Sequence, residues 1–301
     1  RRARRHRPLR RRGDAQGSRM RLAVSNIAWN DAEEAAVLPL LRQRGIAGIE
    51  VAPTRLWPDW TGATPAAVRA ARTRLADAGF CVPSLQAILF GKPDLSLFGG
   101  GDAFADHIRR VADLAAELGA RIMVYGAPKS RDRGDLTPAI AFDRAVTVLR
   151  AVAADCAARG TTLCIEPNPV AYGCNFVTNS RDGMALVKAV DSRGFGLHLD
   201  TGAMTLAGED PADALLAAQS ILDHVHVSAP NLAPIAPATI DHARIGRALR
   251  QMNYGGWIAV EMRRGDDAVE ALARSIDLAR DCYRGRLGMT ALPGKATEAV
   301  A

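Results

Sequence analysis

The sequence predicts an α/β protein, a single (β/α)8 TIM barrel behind a disordered basic N-terminal tail. Short β-branched or apolar runs alternate with Ala-, Leu- and Arg-rich segments of helical period, and the alternation repeats eight times between residues 20 and 285. Parallel strands need a crossover between them, so this alternation specifies a parallel sheet. Eight units in that length suit a closed barrel better than an open sheet. A further observation removes the main rival. An open dinucleotide-binding sheet wants Gly-x-Gly-x-x-Gly after its first strand, and residues 26–31 read Asn-Ile-Ala-Trp-Asn-Asp.

Strands are expected at 21–27, 46–52, 81–89, 121–126, 162–167, 195–200, 222–228 and 256–262. Helices are expected near 31–44, 64–78, 102–118, 137–158, 179–190, 211–219, 238–252 and 267–284. Asn30, Thr64 with Pro65, Asp102, and Thr137 with Pro138 stand where an N-cap and a first-turn proline belong. Gly45, Gly79, Gly119 and Gly160 each follow a helix and precede a strand, the usual place of a left-handed C-cap. The Gly99–Gly101 run opens no phosphate fingerprint and reads as a loop before the third helix. The division that follows is a basic tail or translated leader over 1–19, a catalytic barrel over 20–285 and a C-terminal tail over 286–301.

Composition is misleading until it is divided. The chain of 301 residues carries a formal +7, which invites a nucleic-acid or membrane reading. Residues 1–19 hold nine arginines against the single acid Asp14, so the rest of the chain stands at −1. The tail reads either as a disordered arm for polyanions or as leader upstream of a start at Met20, where regular structure begins. No apolar stretch approaches the roughly 18–20 residues of a membrane span, and only Leu22–Val24 follows the basic run, too short for a secretion signal. The five cysteines are odd in number and widely spaced, with no C-x-x-C pair, which fits a reducing cytoplasm.

In such a barrel the chemistry lies in the last strand residues and the loops after them. The fifth strand reads Leu163-Cys164-Ile165-Glu166, the sixth ends His198-Leu199-Asp200, the seventh is His224-Val225-His226-Val227-Ser228, and the eighth runs Ile258-Ala259-Val260-Glu261. A buried carboxylate costs several kcal/mol unless it is paired or bound to metal. Here three of them and a histidine occupy equivalent strand ends, spaced 34, 26 and 35 residues apart, one βα unit each time. Glu166, Asp200, His226 and Glu261 therefore form a hard, mainly oxygen site for one divalent ion. Mn²⁺ or Mg²⁺ suits it best, with Co²⁺ and Zn²⁺ as substitutes. His224 shares a face with His226 and is the competing ligand, two residues deeper.

These segments resemble the xylose isomerase-like TIM-barrel superfamily, in particular its sugar (phosphate) isomerase/epimerase branch, over roughly residues 20–285. The resemblance implies one divalent ion held by Glu166, Asp200, His226 and Glu261. It also implies that Glu166 and Glu261 move the proton of a substrate carbon next to a carbonyl. The function implied is isomerisation or epimerisation of a sugar or keto-sugar derivative, with a small carbohydrate as partner. Three features of the ketohexose 3-epimerases are missing. An acid six residues after the first Glu is here Tyr172, a histidine three after the Asp is Ala203, and an arginine six after the metal histidine is Leu232. Their usual Ser-Glu-Pro is Ser228-Ala229-Pro230, so the metal site is kept while substrate contacts change.

Around the mouth, His198, Asn168, Tyr172, Asn175 and Gln86 are candidate substrate contacts, and Trp29, with Trp57 and Trp60, a candidate aromatic wall. Lys129, with Arg131 and Arg133, forms a basic loop that would hold an anionic group or, as the blander reading, a solvated charge run. The competing function is a metal-dependent lyase or dehydratase on a keto-sugar or cyclitol, which begins with the same proton abstraction. An AP endonuclease is disfavoured: the nearly neutral body lacks a phosphate-tracking surface, and Ser84-Leu85-Gln86, Val124-Tyr125-Gly126 and Thr201-Gly202-Ala203 lack the extra histidines of a three-zinc centre. A non-enzymatic sugar-binding module is the remaining class. Barrels of this kind often pair, and no sequence feature decides whether this one forms a homo-oligomer.

Overall fold

A computed structural model describes residues 20–99 and 102–285. The expectations for 1–19 and 286–301, and for the Gly100–Gly101 part of the glycine run, lie outside the described residues. In chain order the elements are β1 (Arg21–Ser25), α1 (Glu34–Gln43), β2 (Gly48–Glu50), α2 (Pro53–Leu56), α3 (Pro65–Asp77), β3 (Ser84–Leu85), α4 (Ala103–Leu118), β4 (Ile122–Tyr125) and α5 (Pro138–Ala158). There follow β5 (Thr162–Ile165), α6 (Ser180–Val190), β6 (Phe195–Asp200), α7 (Thr201–Leu206), α8 (Pro211–Ala217), β7 (Leu222–Val227), α9 (His242–Gln251), β8 (Trp257–Val260) and α10 (Ala268–Ala279).

All eight strands pair in parallel, in the order β2-β1-β8-β7-β6-β5-β4-β3. The two ends of that order meet through the bridges Gly48↔Cys81 and Val51↔Leu85, so the sheet closes into the expected barrel. The third strand is much shorter than the expected 81–89. Pro83 has no N–H to donate, and Ala87 takes a left-handed φ of 52°, which ends the extended run. Closure there rests on backbone bonds from Ile49 to Cys81, from Cys81 back to Ala47, from Val51 to Ser84 and from Gln86 back to Val51.

The helix starts follow the cap chemistry. Thr64 and Thr137 accept from Ala67 and Ile140, with Pro65 and Pro138 in the first turn. Asn30 and Glu33 exchange side chain and backbone reciprocally at 2.9 and 3.1 Å, a capping box, and α1 opens at Glu34, three residues later than its sequence signal suggests. Asp102 sits at the α4 N-cap without a side-chain cap bond, and α9 begins at His242, not 238, because Asp241 caps it. Gly45, Gly79, Gly119 and Gly160 all have positive φ. The unanticipated α7 starts directly on Asp200, whose carboxylate caps it. Among the described residues no helix is long and apolar enough to cross a membrane.

Candidate metal centre

β5 and β8 each end one residue before a glutamate, and β6 and β7 carry Asp200 and His226 at paired register positions, Asp200↔His226. Parallel pairing thus brings four residues, widely separated in sequence, to one end of the barrel. Glu166, Asp200, His226 and Glu261 offer ligand atoms that all lie within 4.8 Å of one another. Nδ1 of His226 is 3.0 Å from Oε2 of Glu261 and 4.0 Å from Oδ2 of Asp200. Oδ1 of Asp200 accepts from the Ala203 amide, whereas its Oδ2 and Nδ1 of His226 are buried without a hydrogen bond. Two orphaned buried atoms facing two further carboxylates are a donor set a cation would satisfy. The residues present therefore fit a divalent ion, and the oxygen-rich set favours a hard one.

Crowding of acids shows in their protonation. Burial first, then the neighbouring Asp200 and Glu261 carboxylates, push Glu166 up to about 8 against the pull of His226. Burial and Glu261 raise Asp200 to about 6. His226 is raised too, against its burial: burial disfavours its charge, but Glu50 and Glu261 outweigh that and hold it well above the ordinary histidine range. Glu166 needs space as well as charge balance. A β-carbon at Gly126, just past β4, would lie 2.0 Å from its Oε2, so any side chain there would push the carboxylate out of this position.

Beneath the quartet lies a polar layer that the sequence reading did not single out. Glu50, the last residue of β2, is wholly buried and takes Nε2 of His226 at 2.7 Å, Nε2 of His224 at 2.9 Å and the Ser84 hydroxyl at 2.6 Å. The two imidazoles outweigh the burial that opposes ionisation and hold the Glu50 carboxyl well below its usual range. An ionised carboxylate only accepts, so both Nε2 atoms donate. His224 is thereby engaged one layer down, paired in register with His198, while His226 stands with Asp200. The signal for Glu50 was a lone acid in the apolar run Gly48-Ile49-Glu50-Val51, the same signal that marked the quartet.

A family model for xylose isomerase-like TIM barrels matches residues 38–282. The chain belongs to that family. Over 90 residues, 30% of its length, this xylose isomerase-like barrel is 30% identical to the L-ribulose 3-epimerase of Methylomonas sp. (strain DH-1), an alignment spanning 32% of that protein. The solved D-psicose 3-epimerase of Clostridium cellulolyticum H10, with D-tagatose, superposes with a TM-score of 0.73 at 17% identity, covering 88% of this chain and 99% of that one. For 3-keto-D-glucoside 4-epimerase from E. coli the TM-score is 0.71 at 18% identity, covering 88% and 100%. At such identities the structural likeness shows the fold.

Within this xylose isomerase-like barrel the remaining candidates divide. Tyr172 is half-buried, close enough to Asp200, Glu166 and Glu261 for them to reinforce the upward push of burial on its phenol, and its hydroxyl accepts from the Asn231 amide, tying the fifth loop to the seventh. His198 is fully buried under the quartet, 3.7 Å from Oε1 of Glu166, with neither ring nitrogen hydrogen-bonded. Burial and its two histidine neighbours hold it well below the usual range, so it is neutral. Gln86 donates to Ser25 at 2.8 Å, and Asn168 takes a bond from Arg131. Asn175 spends its amide on Arg133 and Asp132. Trp29 and Trp57 are buried, and Trp60 donates to the Phe90 carbonyl and packs edge-on against His107. Lys129 is exposed.

Arg131 departs from the solvated-run reading. It is fully buried and donates to the carbonyls of Tyr125, Gly126, Glu166 and Phe176 and to Oδ1 of Asn168. Its guanidinium ties the end of β4 to the start of the loop that carries Glu166.

Proposed function

We propose that this barrel is a divalent-metal-dependent isomerase or epimerase, acting on a sugar or keto-sugar derivative by removing a proton next to a carbonyl. The observation that carries the reading is the cluster of Glu166, Asp200, His226 and Glu261 at the strand ends, with two buried ligand atoms left without hydrogen bonds. All four would hold the ion, with Mn²⁺ as the first choice and Mg²⁺, Co²⁺ or Zn²⁺ as substitutes. A bound divalent ion supplies Lewis-acid stabilisation of the negative charge that develops on the substrate oxygens as the proton leaves.

The chain supplies the proton chemistry. Glu166 and Glu261 come from β5 and β8, so a substrate between them has a carboxylate on either side. One takes the C–H proton and the other returns a proton at the neighbouring carbon or on the opposite face. Tyr172, tied to the seventh loop by its bond from the Asn231 backbone, would contact substrate hydroxyls. Membership of a family whose similar proteins include sugar epimerases supports a carbohydrate substrate.

A panel of keto-sugars, sugar acids and cyclitols, incubated with Mn²⁺-loaded protein in deuterated water, tests this. Deuterium should enter a recovered sugar at one carbon, and E261Q should abolish that entry. Elimination products would reassign the barrel to the lyase class, and exchange retained in E261Q would remove the base role. Elemental analysis should find about one divalent ion per chain.

A further inference from the structure

Glu50 lies three strands along the sheet from β7, yet its carboxylate reaches both histidines of that strand and the Ser84 hydroxyl of β3. A buried ion needing partners from two other strands is an expensive way to fill a core, since apolar side chains would fill the same volume without desolvating a charge. Its bond to His226 has a definite chemical consequence. A histidine that ligates a metal must give up its second proton, and in the neutral ring that would remain a carboxylate accepting the one proton at Nε2 leaves the lone pair on Nδ1. Nδ1 is the atom that faces Asp200 and Glu261 and has no hydrogen bond of its own.

We infer that Glu50 is a positioning residue for the metal centre: by accepting Nε2–H of His226 it fixes the ring and its tautomer, so that Nδ1 is the ligand atom. His224 and Ser84 hold Glu50 in turn, occupying Oε2 while His226 occupies Oε1. Partners of this kind raise the basicity of a ligating imidazole and restrict its rotation, which makes them worth 10–100-fold in metal affinity. The inference rests on the quartet holding a divalent ion and adds to it a residue that touches neither ion nor substrate.

The E50Q protein keeps the shape and a hydrogen-bonding oxygen but loses the charge. Titration with Mn²⁺ should show affinity weakened by roughly 10–100-fold, a cooperative melt in the metal-free state, and an unchanged KM once Mn²⁺ is saturating. Folded E50Q that binds Mn²⁺ as tightly as wild type overturns the positioning role and leaves the quartet standing. A wild-type protein that binds no divalent ion overturns the quartet reading and this one with it. If E50Q does not fold, wild type decides alone. In protein loaded with diamagnetic Zn²⁺, proton–nitrogen correlation spectra of the imidazoles should place a proton on Nε2 of His226 and none on Nδ1. A proton on Nδ1 overturns the inference.

Discussion

A single methyl group would displace the Glu166 carboxylate at Gly126, where an added β-carbon would come within 2.0 Å of its Oε2. G126A should move that carboxylate by about an ångström and lower turnover about 100-fold while leaving the fold intact, read as kcat beside circular dichroism. Protonation gives a second residue-scale prediction. In the metal-free protein Glu166 stands at about 8, above its ordinary 4.5, so between those values the folded state holds a proton the unfolded chain has lost. Stability of the metal-free protein therefore falls as pH rises through that window. His226, held above 6.5, acts in the same direction, and Glu50, held low, matters only in acid. Metal binding needs ionised carboxylates, so it strengthens over the same window. The melting-temperature gap between Mn²⁺-loaded and chelator-treated protein should widen from pH 5 to pH 8; a constant gap would contradict the raised Glu166. The quartet was legible because each member is an ionisable residue at the end of an apolar strand. Glu50 carried that mark too, but its three partners on β3 and β7 are set by barrel closure, which no local pattern shows.

Secondary structure converts those residues into a site through two devices, strand register and loop clamps. Register is why Asp200 meets His226 and His198 meets His224 in successive layers. The clamp is Arg131, whose five acceptors belong to segments up to 45 residues away. In sequence it is one cation in Lys129-Ser130-Arg131-Asp132-Arg133 and looks solvated; only the folded loops reveal carbonyls that need a donor. R131M would strand those buried acceptors. The expected loss is at least about 3 kcal/mol, a fall of roughly 6–12 °C in melting temperature by calorimetry, with Glu166 loosened as well. Elements whose boundaries rest on caps, such as α3 and α5, agreed closely with the sequence reading. β3 did not, since its length depends on Pro83 and a left-handed Ala87. The short α7 escaped notice because Asp200 was read only as a ligand, although the same carboxylate caps the helix.

For the whole molecule, residues 1–19 carry +8 and the rest of the chain −1 of the formal +7, and the chemistry proposed above lies in the rest. Met20 is already buried and Arg21 already bonds to Gly256, so the barrel begins where the basic run stops. We propose that a chain starting at Met20 keeps its melting temperature and the proposed turnover; loss of either would give the basic segment a role in this protein. Periodicity alone determined that eight strands alternate with helices, and the acids and histidine at the ends of four of them pointed to one metal-binding mouth. Both follow from local chemistry, because strand and helix periods and the cost of a buried carboxylate are readable one segment at a time. Only the tertiary structure decided which histidine faces the quartet, that Glu50 lies behind it, and that Arg131 is buried. Those depend on which strands become neighbours when the sheet closes, and closure joins Glu50 to His226 across 176 positions of sequence.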